Sequence, residues 1–250
     1  LFIMAYDLLF LAISSFFAGA LTLFTGFGLA TLLLPVFSIF LPIPVAIAAT
    51  AFVHLLNNSY KLIIFFQNID WNIFIRFGIN ASIAAVMGSL TLDWLSNQDY
   101  NLKTIIGIII ILIVLFEISP LRQIEINKKY IPLGGLISGF FGGLSGHQGM
   151  FRSIFLIKTG LETKKFIATG VSIAVLVDIS RILIYGKTIF NYSLDNFIQF
   201  IAPVGIATLG AIFGVWLASD LVVKMHIKLV SNLISLFMVI IGLLLTLQVI

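Results

Sequence analysis

The sequence has no cysteine and little charge: 14 Lys and Arg with 10 Asp and Glu make up 10% of its 250 residues. Lack of cysteine excludes disulfides, thiolate metal ligands and a cysteine nucleophile. So few charges exclude the surface of a soluble domain, in which about a quarter of residues are charged. No segment between the apolar runs is long enough for a soluble domain of useful size. The net charge of +4 is small and lies mostly in loops, so it reads as topology and no nucleic-acid partner is expected. G-x-S-x-G, H-E-x-x-H and Walker patterns are missing, as is a pair of intramembrane aspartates, so no enzyme activity is expected. The three histidines stand far apart without metal-ligand spacing, so neither a metal site nor a cofactor is expected.

What the chain does have is apolar sequence, 60% of residues at a mean hydropathy of +1.17. The runs stay apolar for roughly 15–25 residues, the scale of a membrane-spanning helix and not the alternation of a membrane β-barrel. The fold class expected is an all-α integral membrane protein forming one polytopic domain over 1–250. The first run, Leu8–Leu23, has no basic region before it and continues into more apolar sequence, so a cleaved signal peptide is not expected.

The runs fall at Leu8–Leu23, Leu29–Leu41, Val45–Phe66, Asn72–Leu95 and Leu102–Ile118, then at Ile131–Leu144, Gly149–Ile157, Thr163–Tyr185, Leu194–Leu217 and Met225–Leu247. The first two are split by Phe24-Thr25-Gly26-Phe27-Gly28, and the sixth and seventh by Ser145-Gly146-His147-Gln148. Around the second break, Ile137–Gly149 reads ISGFFGGLSGHQG; around the first, Ala18–Gly28 reads AGALTLFTGFG. Glycine at this density interrupts helices, and interrupted backbone at membrane depth is tolerated only inside protein or beside a wet cavity. The members of each split pair are expected to be too short to span, forming half-helices or a re-entrant hairpin. Gly186-Lys187 is expected to end the eighth helix.

The order short, short, long, long, long occurs twice, with an offset of roughly 120 residues. Gly19 matches Gly139, Thr25 matches Ser145, Gly26 matches Gly146, Thr50 matches Thr169 and Gly88 matches Gly210. Repeat one is placed at 1–120, a linker at 121–131 and repeat two at 132–250. If each split pair enters and leaves on one side, the repeats are inverted. Arg122, Lys128, Lys129, Lys158, Lys164, Lys165, Lys224 and Lys228 then share one face, against Lys103 and Lys187 on the other. The richer face is cytoplasmic by the positive-inside rule, with both termini on the other side. Trp94, Tyr100 and Tyr192 read as an outer interfacial belt and Trp71 as its inner counterpart.

AGALTLFTGFG followed by an apolar run ending in proline, then GFFGGLSGHQG at mid-chain, resembles the TauE/SafE sulfite exporter family, and the likeness covers essentially the whole chain. His147-Gln148-Gly149 stands where that pattern has a glycine pair. The resemblance implies export or uptake of small sulfur oxyanions or organosulfonates, coupled to an ion gradient, in a bacterial inner membrane.

The candidate substrate site comprises Thr25, Gly26, Gly28, Ser145, Gly146, Gln148, Gly149 and Arg152. Half-helix amino ends carry partial positive charge and free N–H groups, and Arg152 adds a full charge, so the expected substrate is a small anion. Arg152 could instead pair with a carbonyl or snorkel to the cytoplasmic side. Asn57, Asn58, His147, Asp178 and Arg181 are candidates for lining the cavity or carrying a coupling proton or cation. Asp178 and Arg181 share a helical face at i and i+3, which also suits a self-neutralising pair that locks packing. His54 reads as a satisfied core histidine. Partners are otherwise the lipid bilayer, with a homo-oligomer left open. The leading expectation is a secondary transporter working by alternating access; an anion channel and a non-transporting scaffold or assembly factor are the alternatives.

Overall fold

The computed structural model describes residues 5–25, 29–119, 127–221 and 227–249. The described residues are helical almost throughout, in the order α1 (Ala5–Thr25), α2 (Leu29–Phe40), α3 (Ile43–Phe65), α4 (Trp71–Ile73), a π-turn (Phe74–Gly78), α5 (Ile79–Ser96), α6 (Leu102–Ile118), α7 (Ile131–Ser145), α8 (Gln148–Ile157), α9 (Thr163–Leu221) and α10 (Ile227–Thr246). Ala5–Thr22, Trp71–Ser96, Thr163–Gly186 and Phe200–Ala218 are long and apolar enough to cross a membrane. Its fold is that of an all-α membrane protein.

Two helix pairs fold back on themselves. Along α7 and α8, Gly134 lies against Phe155 and Gly142 against Gln148, so the second helix retraces the first. Gly146 makes the reversal, at φ +84°. It ends α7 by donating its N–H to Gly142 O at 3.0 Å, the bond of the αL cap, which favours glycine at the left-handed position, while His147 N–H reaches Phe141 O at 3.3 Å. Residues 142–150 are all buried, as unpaired backbone at this depth requires. In the first pair, Phe10 near the start of α1 meets Phe40 at the end of α2, with ring centroids 6.5 Å apart. The two tips come together: Ala30, the second residue of α2, lies 3.4 Å from where a Cβ on Gly146 would sit.

Three helices of the hairpins are short, at 12, 15 and 10 residues for α2, α7 and α8. The expectation fails for α1, whose 21 residues reach about 31 Å at 1.5 Å per residue. Its helix begins earlier than the apolar pattern does, at Ala5, because Tyr6 and Asp7 continue the turn.

Each hairpin rests on a helix from the other half of the chain. Gly135, Gly139 and Gly143 of α7 press against the backbone at Phe77, Ala81 and Ala85 of the π-turn and α5, so these helices run side by side in one direction. Gly210 and Gly214 of α9 meet the carbonyls of Ala12 and Phe16 of α1, and Gly19 meets Ala211. Of the glycines matched by sequence, Gly19, Gly139, Gly88 and Gly210 all lie at these crossings, where a side chain would strike backbone. Small residues at helix contacts are what membrane packing uses in place of a hydrophobic driving force. α6 and α10 pack antiparallel, with Gly107 against Gly242 and Thr104 Oγ1 donating to Thr246 O at 3.2 Å.

Gly186-Lys187 does not end a helix: helical backbone continues through it for the 59 residues of α9. The two halves of α9 nevertheless run in opposite directions along α3. His54 bonds Asp178 and the Asp70 N–H beyond the end of α3 bonds Thr169 Oγ1 at 2.9 Å, so the first half is antiparallel to α3. Phe52 meets Phe200 with centroids 6.1 Å apart, and Lys61 meets Thr22 one turn beyond the Gly19–Ala211 crossing, so the second half is parallel to it. A straight helix would put about 33 Å between positions 178 and 200, which these contacts forbid. The chain therefore turns back between these positions, within the stretch that holds Gly186-Lys187.

Candidate functional site

α3 and the first half of α9 each carry polar residues at helical spacing, and these faces meet beneath the hairpin tips. His54, Asn58 and Lys61 lie at i, i+4 and i+7 on α3, beside Asn57; all four are buried. Opposite them stand Asp178 and Arg181 of α9, both fully buried. α8 adds Gln148 and Arg152 on one face, four residues apart.

Asp178 is the hub. Its Oδ1 accepts from Arg181 Nη2 at 2.7 Å, Arg181 Nε at 2.9 Å and Gln148 Nε2 at 3.0 Å, and its Oδ2 lies 2.6 Å from His54 Nδ1. Arg181 also donates from Nη1 to Gly142 O at 3.2 Å, tying the end of α7 to α9, and Tyr185 OH donates to Gly143 O. The expected Asp178–Arg181 pair therefore forms, but as part of a network joining α3, α7, α8 and α9. Arg152 Nη1 donates to Gln148 Oε1 at 3.2 Å. Lys61 Nζ donates to Thr22 Oγ1 of α1 at 3.2 Å and lies within electrostatic reach of Arg152. Asn58 Nδ2 sits 3.1 and 3.2 Å from the ring nitrogens of His54.

Among the described residues, two groups are left open. Neither amide atom of Asn57 has a hydrogen-bond partner, nor does His147 Nε2, although both residues are buried. His147 Nδ1 is 3.0 Å from Ser145 Oγ, and that hydroxyl also reaches Phe141 O at 3.1 Å. Ser145 thus closes the helix end locally, and Gly149 is buried behind the tip. Thr25 ends α1 with its side chain outside the described residues, and Gly26 and Gly28 lie outside them altogether. Thr169 holds the turn at Asp70, while Thr50 bonds Ala46 O within its own helix at 2.7 Å.

The structure brings together Asn57, Asn58, Gln148, Arg152, Asp178 and Arg181. It adds Lys61 and Tyr185, and His54, read from the sequence as a satisfied core histidine and here bonded to Asp178 and Asn58. The helical spacing of 54, 58 and 61 was the available signal; which helix faced them was not readable from it.

In charge the cluster is unbalanced. Lys61, Arg152 and Arg181 face a single carboxylate among the described buried side chains, and Asp178 is spent on Arg181, His54 and Gln148. Among the described residues Lys61 and Arg152 hydrogen-bond to neutral partners, Thr22 and Gln148. A cation at membrane depth costs about 2.5–3.5 kcal/mol even on lenient insertion scales, so the buried Lys61 and the half-buried Arg152 favour a negative counter-charge.

A family model described as sulfite exporter TauE/SafE matches residues 11–245. No curated protein and no solved structure matches the chain.

Proposed function

The chain belongs to the sulfite exporter TauE/SafE family, a family of membrane transporters, and from that premise we propose that it carries small sulfur oxyanions or organosulfonates by alternating access around one buried site. The observation that carries this reading is that Lys61 and Arg152 hydrogen-bond to neutral groups while Asn57, one turn before Lys61 on α3, holds a buried amide with no partner among the described residues. An oxyanion seated there supplies the missing negative charge and takes up the unbonded Asn57 N–H groups. Gln148 orients Arg152; Ser145, Gly146 and Gly149 form the tip, with Thr25, Gly26 and Gly28 as its counterpart from the first hairpin. Asp178 and Arg181 hold the wall.

Alternating access follows from two inverted repeats rocking around that site. The crosswise rest of each hairpin on the other half, the antiparallel α6–α10 pair and the opposed α3 and α9 are the pairings that a two-fold axis in the membrane plane generates. An ion gradient drives the cycle. Residues 127–130 and the loop at 158–162 face the cytoplasm of a bacterial inner membrane, and residue 7 faces the other side.

Flux into proteoliposomes with sulfite, thiosulfate and methanesulfonate tests the reading. Arg152→Ala and Lys61→Ala should each lower uptake at low anion concentration by about tenfold or more, the scale of one lost charge-assisted bond. Unchanged uptake in both variants would overturn the site. Electrical conductance far above carrier turnover would replace the transporter with a channel.

A further inference from the structure

The oxygens of Asp178 are already engaged by nitrogen donors: two from Arg181 and one from Gln148 on Oδ1, and His54 on Oδ2. A sodium ion at this carboxylate would have to displace a guanidinium. A proton has an easier place. His54 can keep its Nδ1–H on Asp178 in both the neutral and the charged form; a proton arriving at Nε2 leaves that bond intact but requires Asn58, whose Nδ2 lies 3.2 Å from Nε2, to turn its amide oxygen toward the new N–H. We propose that the His54–Asp178 pair is the proton-carrying site that couples a proton gradient to anion movement; this rests on the anion-site reading above.

Two features of the geometry support it. The pair spans α3 and α9, helices from opposite halves of the chain, so its charge acts across the contact that alternating access must change. Gln148 then connects it to the anion site, donating from Nε2 to Asp178 and accepting at Oε1 from Arg152.

The surrounding charges set the sign of the coupling. Arg181 from α9, Arg152 from α8 and Lys61 further along α3 are all cationic. The other groups nearby are Asn58, Tyr185 bonded to Gly143 O, and His147 beside Ser145. A proton on His54 adds a fourth positive charge to a cluster holding one carboxylate. An anion on Lys61 and Arg152 offsets that charge, so proton and anion each favour the binding of the other, as linkage requires. The two therefore move in the same direction.

Thiosulfate and methanesulfonate do not titrate near neutral pH, so a pH gradient acts on the protein and not on the probe. With wild-type proteoliposomes in a more acidic medium and equal probe on both sides, the probe should accumulate, and a luminal dye should report acidification during uptake. His54→Asn retains an N–H near the Nδ1 position but cannot titrate. It should lose gradient-driven accumulation while keeping exchange of labelled for unlabelled probe at equal pH. Accumulation that persists in His54→Asn would overturn the proposal. Should that variant lose exchange as well, the wild-type dye trace decides: uptake with acidification sustains the coupling, and uptake without it refutes it. Exchange of neither probe by wild type, nor of sulfite, would instead overturn the anion site, and the coupling with it.

Discussion

Asn57 holds a carboxamide in the protein interior with neither atom bonded, an arrangement that costs about 1–3 kcal/mol for each unsatisfied group. If the amide serves the anion, Asn57→Leu should separate stability from function. Thermal unfolding in detergent should not shift downward, because the substitution removes unpaired polar atoms, while the KM for the transported anion should rise about tenfold. A lower unfolding temperature with an unchanged KM would assign Asn57 to packing. Gly146 makes a different demand, since its φ of +84° costs an L-residue roughly 1–2 kcal/mol. Gly146→Ala would also bring a methyl 3.2 Å from Arg181 Nη1, and should lower both the melting temperature and the flux. Much of this scale was legible. Arg152, Gln148, Asp178 and Arg181 stand out because polar side chains in apolar runs need a partner or a cavity. The His54–Asp178 bond was not legible, because it depends on which helices face each other.

The helix contacts divide the glycines into two kinds. A Cβ on Gly143 would strike the backbone of Ala85 and Ser89, whereas nothing lies within 4 Å of the one on Gly205. Gly143→Ala should destabilise the fold by about 1–3 kcal/mol through overpacking. Gly205→Ala should be neutral or stabilising by up to about 1 kcal/mol from helix propensity. Unfolding of the two variants in detergent, side by side, checks the contrast; equal effects would mean that the α5–α7 contact is not close-packed. The sequence marked both breaks and most helix bounds within a residue or two, since apolar length and glycine clusters are local signals. It missed the extent of α1 and the continuity of α9, because long-range packing decides where those helices stop and bend.

Across the whole molecule, orientation can be probed directly, and the absence of cysteine makes the unmodified chain a clean background. Single cysteines at Asp7 and Asp99 should react with an impermeant maleimide applied to intact cells. Those at Lys128 and Lys158 should react only after the membrane is opened. Labelling of position 128 and position 158 from opposite sides would refute the inverted arrangement. The repeat was visible in the order of segments and breaks, but the exchange of partners between halves was not, since composition carries no record of which surfaces meet. That exchange bears on how the protein is made. α1 leaves the ribosome long before the surface it packs on, around Gly210–Gly214, which is synthesised some 190 residues later. Until then its small-residue face stays without its native partner in the bilayer, open to wrong neighbours. Long-range closure of this kind slows assembly, so a chain halted before the second half of α9 should be cleared by quality control, and a pulse-chase of such a truncation should show faster loss than that of the unmodified chain.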